Sequence, residues 1–250
     1  MDPALKEKFI SLWDRYFNGV ELPITYYYTD EVGRAELVTA PKVWACVMGV
    51  LAKVRRGEPL CFDENSFGCT GGRRYFGFGG ELREGFEYFL SYGRPGVTEG
   101  ERYKKSPEIV RRLLADTPDF KAPARYLVFK RWDRLEAVDE PEGVAVFAQP
   151  DVLSGLFTLN GYDRAERLAV IAPFSAGCGS IVKYPYLEKD KAKPMGVLGM
   201  FDVSARPYVP ANTLTFAAPM KRFVEMIGNM EESFLITDSW EKIRKRIKPV

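Results

Sequence analysis

The sequence predicts an α+β protein, a mixed sheet of about six to eight strands flanked by helices. Three observations predict it. Apolar residues recur at helical spacing in several segments. Between these segments lie short runs rich in β-branched and aromatic residues, bounded by glycine and proline. Hydrophobic residues make up 46% of the chain and charged residues 28%, which supports a sizeable buried core and not disorder. A length of 250 residues fits a single domain over 1–250. The alternative is two similar halves, 1–120 and 121–250, around a central cleft.

Residues 3–17 read as a helix, with Leu5, Phe9, Leu12, Trp13 and Phe17 on one face. Residues 23–29 (PITYYYT) read as a strand, whose Tyr26, Tyr27 and Tyr28 alternate between its faces. Pro41 opens a predicted helix to about residue 56, and Gly57 ends it. Residues 62–80 are dense in glycine, so the backbone there turns tightly or approaches something closely. Ser106 and Pro107 start a helix to about residue 115. Residues 125–132 and 143–149 look like strands, and Pro150 begins a helix to about residue 159. The run 168–172 (LAVIA) predicts a short strand buried on both faces. A small-residue turn around Gly177 then enters a short helix. Residues 197–203 and 213–217 predict strands, and 219–228 and 239–247 predict helices. Met220, Met226 and Met230 read as core.

Charge excludes some functions. The 36 basic and 34 acidic residues nearly cancel, leaving no electrostatic footprint for nucleic acid. The basic run from Lys242 to Lys248 reads as a solvated helix face. The N-terminal segment lacks the apolar core of a signal peptide. The longest apolar stretch, residues 43–52, is about ten residues against the ~20 that span a bilayer. A cytoplasmic protein without a membrane partner is therefore expected. In that compartment thiols stay reduced.

The chain has no histidine. No Ser-His-Asp or Cys-His arrangement can form, and no histidine-ligated zinc, haem or iron site. Attention passes to four cysteines, Cys46, Cys61, Cys69 and Cys178. None has CxxC spacing. Cys69 and Cys178 lie among small residues, in GCTGG and SAGCGS. Small neighbours leave room for a bulky inorganic group and let backbone N–H groups point at sulfur. Three readings stay open on the residues alone: a metal or cluster site, a reactive thiol at Cys69 or Cys178, and cysteines that simply fill the core. Cys46, in the apolar run VWACVMGVL, fits the last of these best. The two Gly-Cys turns also suggest an old duplication.

Other residues could bind a small anion. Arg73 and Arg74 follow a double glycine, where a backbone nest and guanidinium groups can hold phosphate or carboxylate. Exposed charges at a loop exit explain them equally. Asp202 and Arg206 stand four apart, as an acid or base with a carboxylate clamp, or as an internal ion pair. GFGG at 77–80 is neither a P-loop nor a dinucleotide fingerprint.

Taken together, Cys46, Cys69-Thr70-Gly71-Gly72 with Gly77, Pro150-Asp151, the run Ser175 to Ser180, Asp202 with Arg206-Pro207, and Pro219-Met220 before Phe223 give a pattern. It resembles the prokaryotic family termed domain of unknown function 169, over about residues 20–245. The resemblance implies cysteine at positions 46, 69 and 178, with Cys61 less typical. Three such ligands would suit a 4Fe–4S cluster with one iron free of cysteine, and Cys61 would close the site if it were a fourth ligand. Arg73, Arg206 and Asp202 would then orient a small anionic molecule. The expected function is an iron–sulfur protein acting on or binding a small anion. A cluster-free binding protein and a thiol enzyme are the alternatives. Neither an enzymatic reaction nor an oligomeric state follows.

Overall fold

The computed structural model describes residues 1–248. Its strands form a single eight-stranded mixed sheet. Asp2 caps the first helix by accepting the Ala4 N–H at 2.9 Å, and Pro3 sits in the first turn, where no N–H is needed. That helix, α1 (Pro3–Phe17), ends at Asn18 in a left-handed conformation. Then come β1 (Ile24–Thr29), β2 (Glu36–Leu37), α2 (Val47–Arg55), β3 (Leu60–Phe62), α3 (Thr70–Tyr75), α4 (Phe86–Phe89), α5 (Pro107–Asp116) and β4 (Tyr126–Arg131). The second part holds β5 (Gly143–Ala148), α6 (Pro150–Gly161), β6 (Val170–Ile171), a π-helical turn (Gly179–Lys183) running into α7 (Tyr184–Glu188), and β7 (Gly196–Gly199). It closes with β8 (Leu214–Pro219), α8 (Met220–Asn229) and α9 (Asp238–Arg244).

The strand order is β2-β3-β4-β1-β5-β8-β7-β6. Outward from the centre, β1-β4-β3-β2 and β5-β8-β7-β6 follow the same path. Each has two antiparallel pairings and then a parallel outer strand. In this order β4, which follows residue 120 in the chain, lies among the first four strands. The joint between the two paths is short: Ile24, Thr25 and Tyr26 pair with Ala145, Val144 and Gly143. The two Gly-Cys turns do not occupy equivalent places in these paths. Cys69 follows the third strand of the first, and Cys178 lies between the second and third strands of the other.

Period-two alternation sorts side chains between two layers. Val144, Val146, Phe216 and Ala218 face a layer of α1, α6, α8 and α9, filled by Phe9, Trp13, Trp132 and Phe223. Tyr26, Phe129, Ala145, Phe147 and Ala217 face the opposite layer, covered by α2, the glycine-rich segment and the π-helical turn. Helices α6 and α9 meet in the first layer at Gly155. A Cβ built there would stand 2.4 Å from the Trp240 ring and 3.0 Å from Phe17. Alanine's helix propensity favours Gly155→Ala by about 1 kcal/mol, but overpacking costs about 1–3 kcal/mol. The steric cost should win, and calorimetry should show a melting temperature lower than that of the wild type.

Several elements differ from the sequence expectation, each for a tertiary reason. The helix expected from residue 41 starts at Val47. The preceding segment instead packs on the glycine-rich turn, where a Gly68 Cβ would stand 2.4 Å from the Pro41 ring. β3 runs into the glycine-rich segment, which conceals the helix α3, where a Gly72 Cβ would stand only 3.0 Å from Val47. The strand at 168–172 shrinks to the edge strand β6, half-buried with Leu168 exposed, because only β7 pairs with it. β7 stops at Gly199, as Met200 adopts a left-handed φ of 65°.

Candidate cysteine site

Three of the four cysteines lie at the starts of helical segments in the layer opposite α1. Cys69 is the N-cap of α3, in extended conformation, and its sulfur accepts the Gly72 N–H at 3.4 Å. Cys46 is the N-cap of α2 and not a residue of its interior. It makes no capping hydrogen bond of normal length. Cys178 sits in the helical turn that leads into the π-helical segment and is buried. Pro185 follows one turn later and cannot donate a backbone hydrogen bond, which favours a widened turn before it.

Direct contacts knit these turns together. Gly72 of α3 abuts Val47, the neighbour of Cys46. The Tyr75 ring lies on Gly179, the neighbour of Cys178, where a Cβ would stand 2.7 Å from it. Asp202 accepts the Gly177 N–H at 3.4 Å, and Ser204 donates to its other oxygen from the backbone (3.1 Å) and the hydroxyl (2.8 Å). Gly177 in turn leaves space for Met200, whose sulfur would be 2.5 Å from a Cβ there. The strand tyrosines fix the scaffold from below. Tyr26 donates to the Val182 carbonyl of the π-helical turn at 3.1 Å, and Tyr28 to the Phe76 carbonyl at the end of α3 at 2.8 Å.

The electrostatics follow. Burial pushes the Cys178 thiol well above its ordinary pKa, and Cys69, Cys46 and Asp202 add to the rise in that order. Burial also raises Cys46; the Met48 N–H opposes this, and Cys69 and Asp202 reinforce it. Cys46, Cys69, Cys178 and Asp202 are thus within electrostatic reach of one another. Among the described residues no Lys or Arg pairs with Asp202. Three thiols and a carboxylate without a cation repel one another once ionised, and a positive centre between them would relieve that repulsion. The raised pKa values of Cys46 and Cys178 do not suit an unassisted nucleophile at either residue.

Two buried hydroxyls near Cys178 and Asp202, Ser175 Oγ and Tyr103 OH, have no hydrogen-bond partner among the described residues. A Cβ on Gly71, in the first turn of α3, would meet nothing within 4 Å. Among the described residues, however, no three Cys, Asp or Glu side chains are placed to hold a single metal ion.

The remaining candidates lie elsewhere or are engaged. Cys61 cannot join the other cysteines, because its place in β3 turns it to the opposite face of the sheet. There it packs with Ala35, Tyr126 and Val128, and burial lifts its thiol to about 11. Among the described residues Arg206 does not pair with Asp202. Its guanidinium donates to the carbonyls of Pro210, Ala211 and Thr213, fixing the loop before β8. Arg73 is half-exposed and stands 3.6 Å from Glu64, which competes with any anion there. A separate recess lined by Arg94, Thr98, Glu99 and Arg102 holds none of the predicted site residues.

Residues that sequence reasoning passed over are Tyr75, Met200, Tyr103 and Lys183. Lys183 alone left a signal, as a lone charge within the run SIVKYPY.

The chain matches the domain of unknown function 169 family, described as uncharacterised ArCR, over residues 22–229, and it belongs to that family. No curated protein and no solved structure matches it. Among the described residues no helix is long and apolar enough to cross a membrane.

Proposed function

We propose that the protein binds an iron–sulfur cluster through Cys46, Cys69 and Cys178, next to a position where a small anionic molecule is bound or converted. What supports this reading is the contact between the three cysteine turns, Gly72 against Val47 and the Tyr75 ring on Gly179, with Asp202 accepting the Gly177 N–H and no Lys or Arg paired with it among the described residues. The donor set suits the group. Thiolates are the ligands iron–sulfur clusters use, and N–H donation to sulfur, as from Gly72 to Cys69, stabilises their charge. Ligands of one zinc ion must all reach it at about 2.3 Å, and no such single-ion group stands here. Cluster ligands bind different irons and stand further apart. A cluster with three cysteine ligands offers one iron as a Lewis acid toward a substrate oxygen or sulfur. Asp202, fixed by Ser204 and Gly177, would face that iron as a ligand or as the base that receives a proton.

Anaerobic purification tests the reading. Wild-type protein should be brown, with about four iron and four acid-labile sulfide per chain. Cys69→Ala and Cys178→Ala should lose both, whereas Cys61→Ala, on the far face of the sheet, should retain them. Colourless wild-type protein that takes up no iron and sulfide on anaerobic reconstitution would refute it. Zinc in place of iron would leave a metal protein without a cluster and equally overturn the assignment.

A further inference from the structure

Residues 90–104, between α4 and α5, form a hairpin that the cysteine site does not use. Its arms are bridged at Arg94 and Thr98. Glycine lets them close at the neck, where a Gly100 Cβ would stand 2.2 Å from the Ser91 carbonyl oxygen and 2.3 Å from the Gly93 nitrogen. The return arm is pinned to the end of α4. Glu101 donates its N–H to Phe89 (2.7 Å), Arg102 to Ser91 (2.8 Å) and Lys104 to Leu90 (3.0 Å). The Lys104 ammonium then rests 3.8 Å from the centre of the Phe174 ring. The hairpin is thus a fixed frame and not a slack connection.

That frame surrounds a recess of about 470 Å³, within the ~300–1,000 Å³ of small-molecule sites. Arg94 and Arg102 both line it, with Tyr92, Thr98 and Glu99. Neither guanidinium has a hydrogen-bond or ion-pair partner among the described residues, although Glu99 shares the recess and Glu101 adjoins Arg102. Exposed arginines elsewhere do find carboxylates, as Arg34 finds Glu136 and Arg111 finds Glu87. Arg94 is held in place all the same. Its Cζ stands 4.1 Å from the centre of the Tyr88 ring, a stack that leaves the N–H edges free. Arg102 has a left-handed φ of 57°, a conformation that is costly for arginine and easy for glycine. Such outliers persist where the surroundings impose them, and they gather at ligand-holding positions.

We propose that this recess binds a small phosphate ester, with its phosphate between Arg94 and Arg102. Two guanidinium forks match the terminal oxygens of the group. A dianionic phosphate also balances both positive charges, where a single carboxylate balances one. Thr98 and Glu99 provide for hydroxyls of the organic part, and the exposed Tyr92 ring for its apolar face. The site stands apart from the iron–sulfur reading, since none of these residues belongs to the cysteine turns.

Calorimetric titration with ribose 5-phosphate, inorganic phosphate and ribose, at constant ionic strength set by chloride, tests the site. Ribose 5-phosphate should bind at least as tightly as inorganic phosphate, and ribose should give no signal. Arg94→Gln and Arg102→Gly should each weaken ribose 5-phosphate binding ~10-fold or more. Arg125→Gln should leave it unchanged, because that arginine also lies over a tyrosine, Tyr126 at 5.0 Å, but outside the recess. Arg102→Gly should melt no lower than the wild type, since glycine accepts the left-handed backbone; its lost binding then cannot be a loss of folding. Wild-type protein that does not bind ribose 5-phosphate would overturn the proposal, as would an Arg102→Gly protein that binds it as well or melts lower. Malonate binding more tightly than ribose 5-phosphate would also overturn it, by making the recess a dicarboxylate site.

Discussion

Arg222→Ala should lower stability by roughly 3–5 kcal/mol, the cost of stripping one partner from a buried charged network. The Arg222 side chain is 1% exposed. It donates to the Asn160 side chain (3.1 Å) and carbonyl (2.7 Å), to both Asp163 oxygens (2.6 and 3.0 Å) and to Glu225 (2.8 Å). Removing it orphans Asn160 inside the layer between α6 and α8. At about 2–4 °C per kcal/mol for a chain of this size, the melting temperature should fall by roughly 6–20 °C. The same residue sets an acid limb. Hydrogen bonds from Arg222 first, and from Asn229, hold the Asp163 carboxyl down to about 2, with burial opposing. Its folded pKa is thus below the unfolded value of about 3.9. The contribution is fully present above pH ~4 and is lost as pH falls through about 2. Denaturant melts between pH 5 and 2 should show this limb in the wild type and a flatter one in the variant. An Arg222→Ala protein as stable as the wild type would show that the layer relaxes around the gap.

Gly199→Ala should disturb both the sheet and the cysteine site. A Cβ at residue 199 would lie 1.8 Å from Ser180 Oγ, 2.2 Å from Ser180 Cβ and 2.8 Å from Thr215 Oγ1. A hydroxyl can rotate away, but a Cβ cannot, so the π-helical turn must move off β7. The expected cost is at or above the top of the usual overpacking range of about 1–3 kcal/mol. Cys178 sits two residues before Ser180, so metal loading should fall with stability. Ser180→Gly in the same chain removes the two closest clashing atoms, leaving only the Thr215 hydroxyl, and should restore most of both, a coupling that a double-mutant cycle measures. Failure of that rescue would place the damage elsewhere.

Much of the fold was legible because long periodic segments carry their own signal. Helix α1 matches its predicted bounds, as do β1 and α8 to within a residue. Short elements were not legible. β2, β3 and α3 are two to six residues long and owe their form to partners far away in sequence. That gap explains the ambiguity over Cys61. Alternation within an identified β3, with apolar Leu60 and Phe62 on one face, would have turned Cys61 to the other. The turns of Cys69 and Cys178 were readable from their glycines, since small residues leave space for Pro41 and Val47 at the first and for Met200 and Tyr75 at the second. The arginines were not, because composition does not tell a clamp from a loop brace. Arg206 bonds to carbonyls within nine residues of itself, and Arg73 meets Glu64 across a turn.

The shortness of the β1–β5 joint has a mechanical consequence. Cys46 and Cys69 hang from one flank of that seam, and Cys178 and Asp202 from the other. Any group gripping all of them would rivet the two flanks together across this short joint, and its binding energy would become cohesion of the whole sheet. A filled rivet hole should then hold the two flanks together to a higher temperature than an empty one.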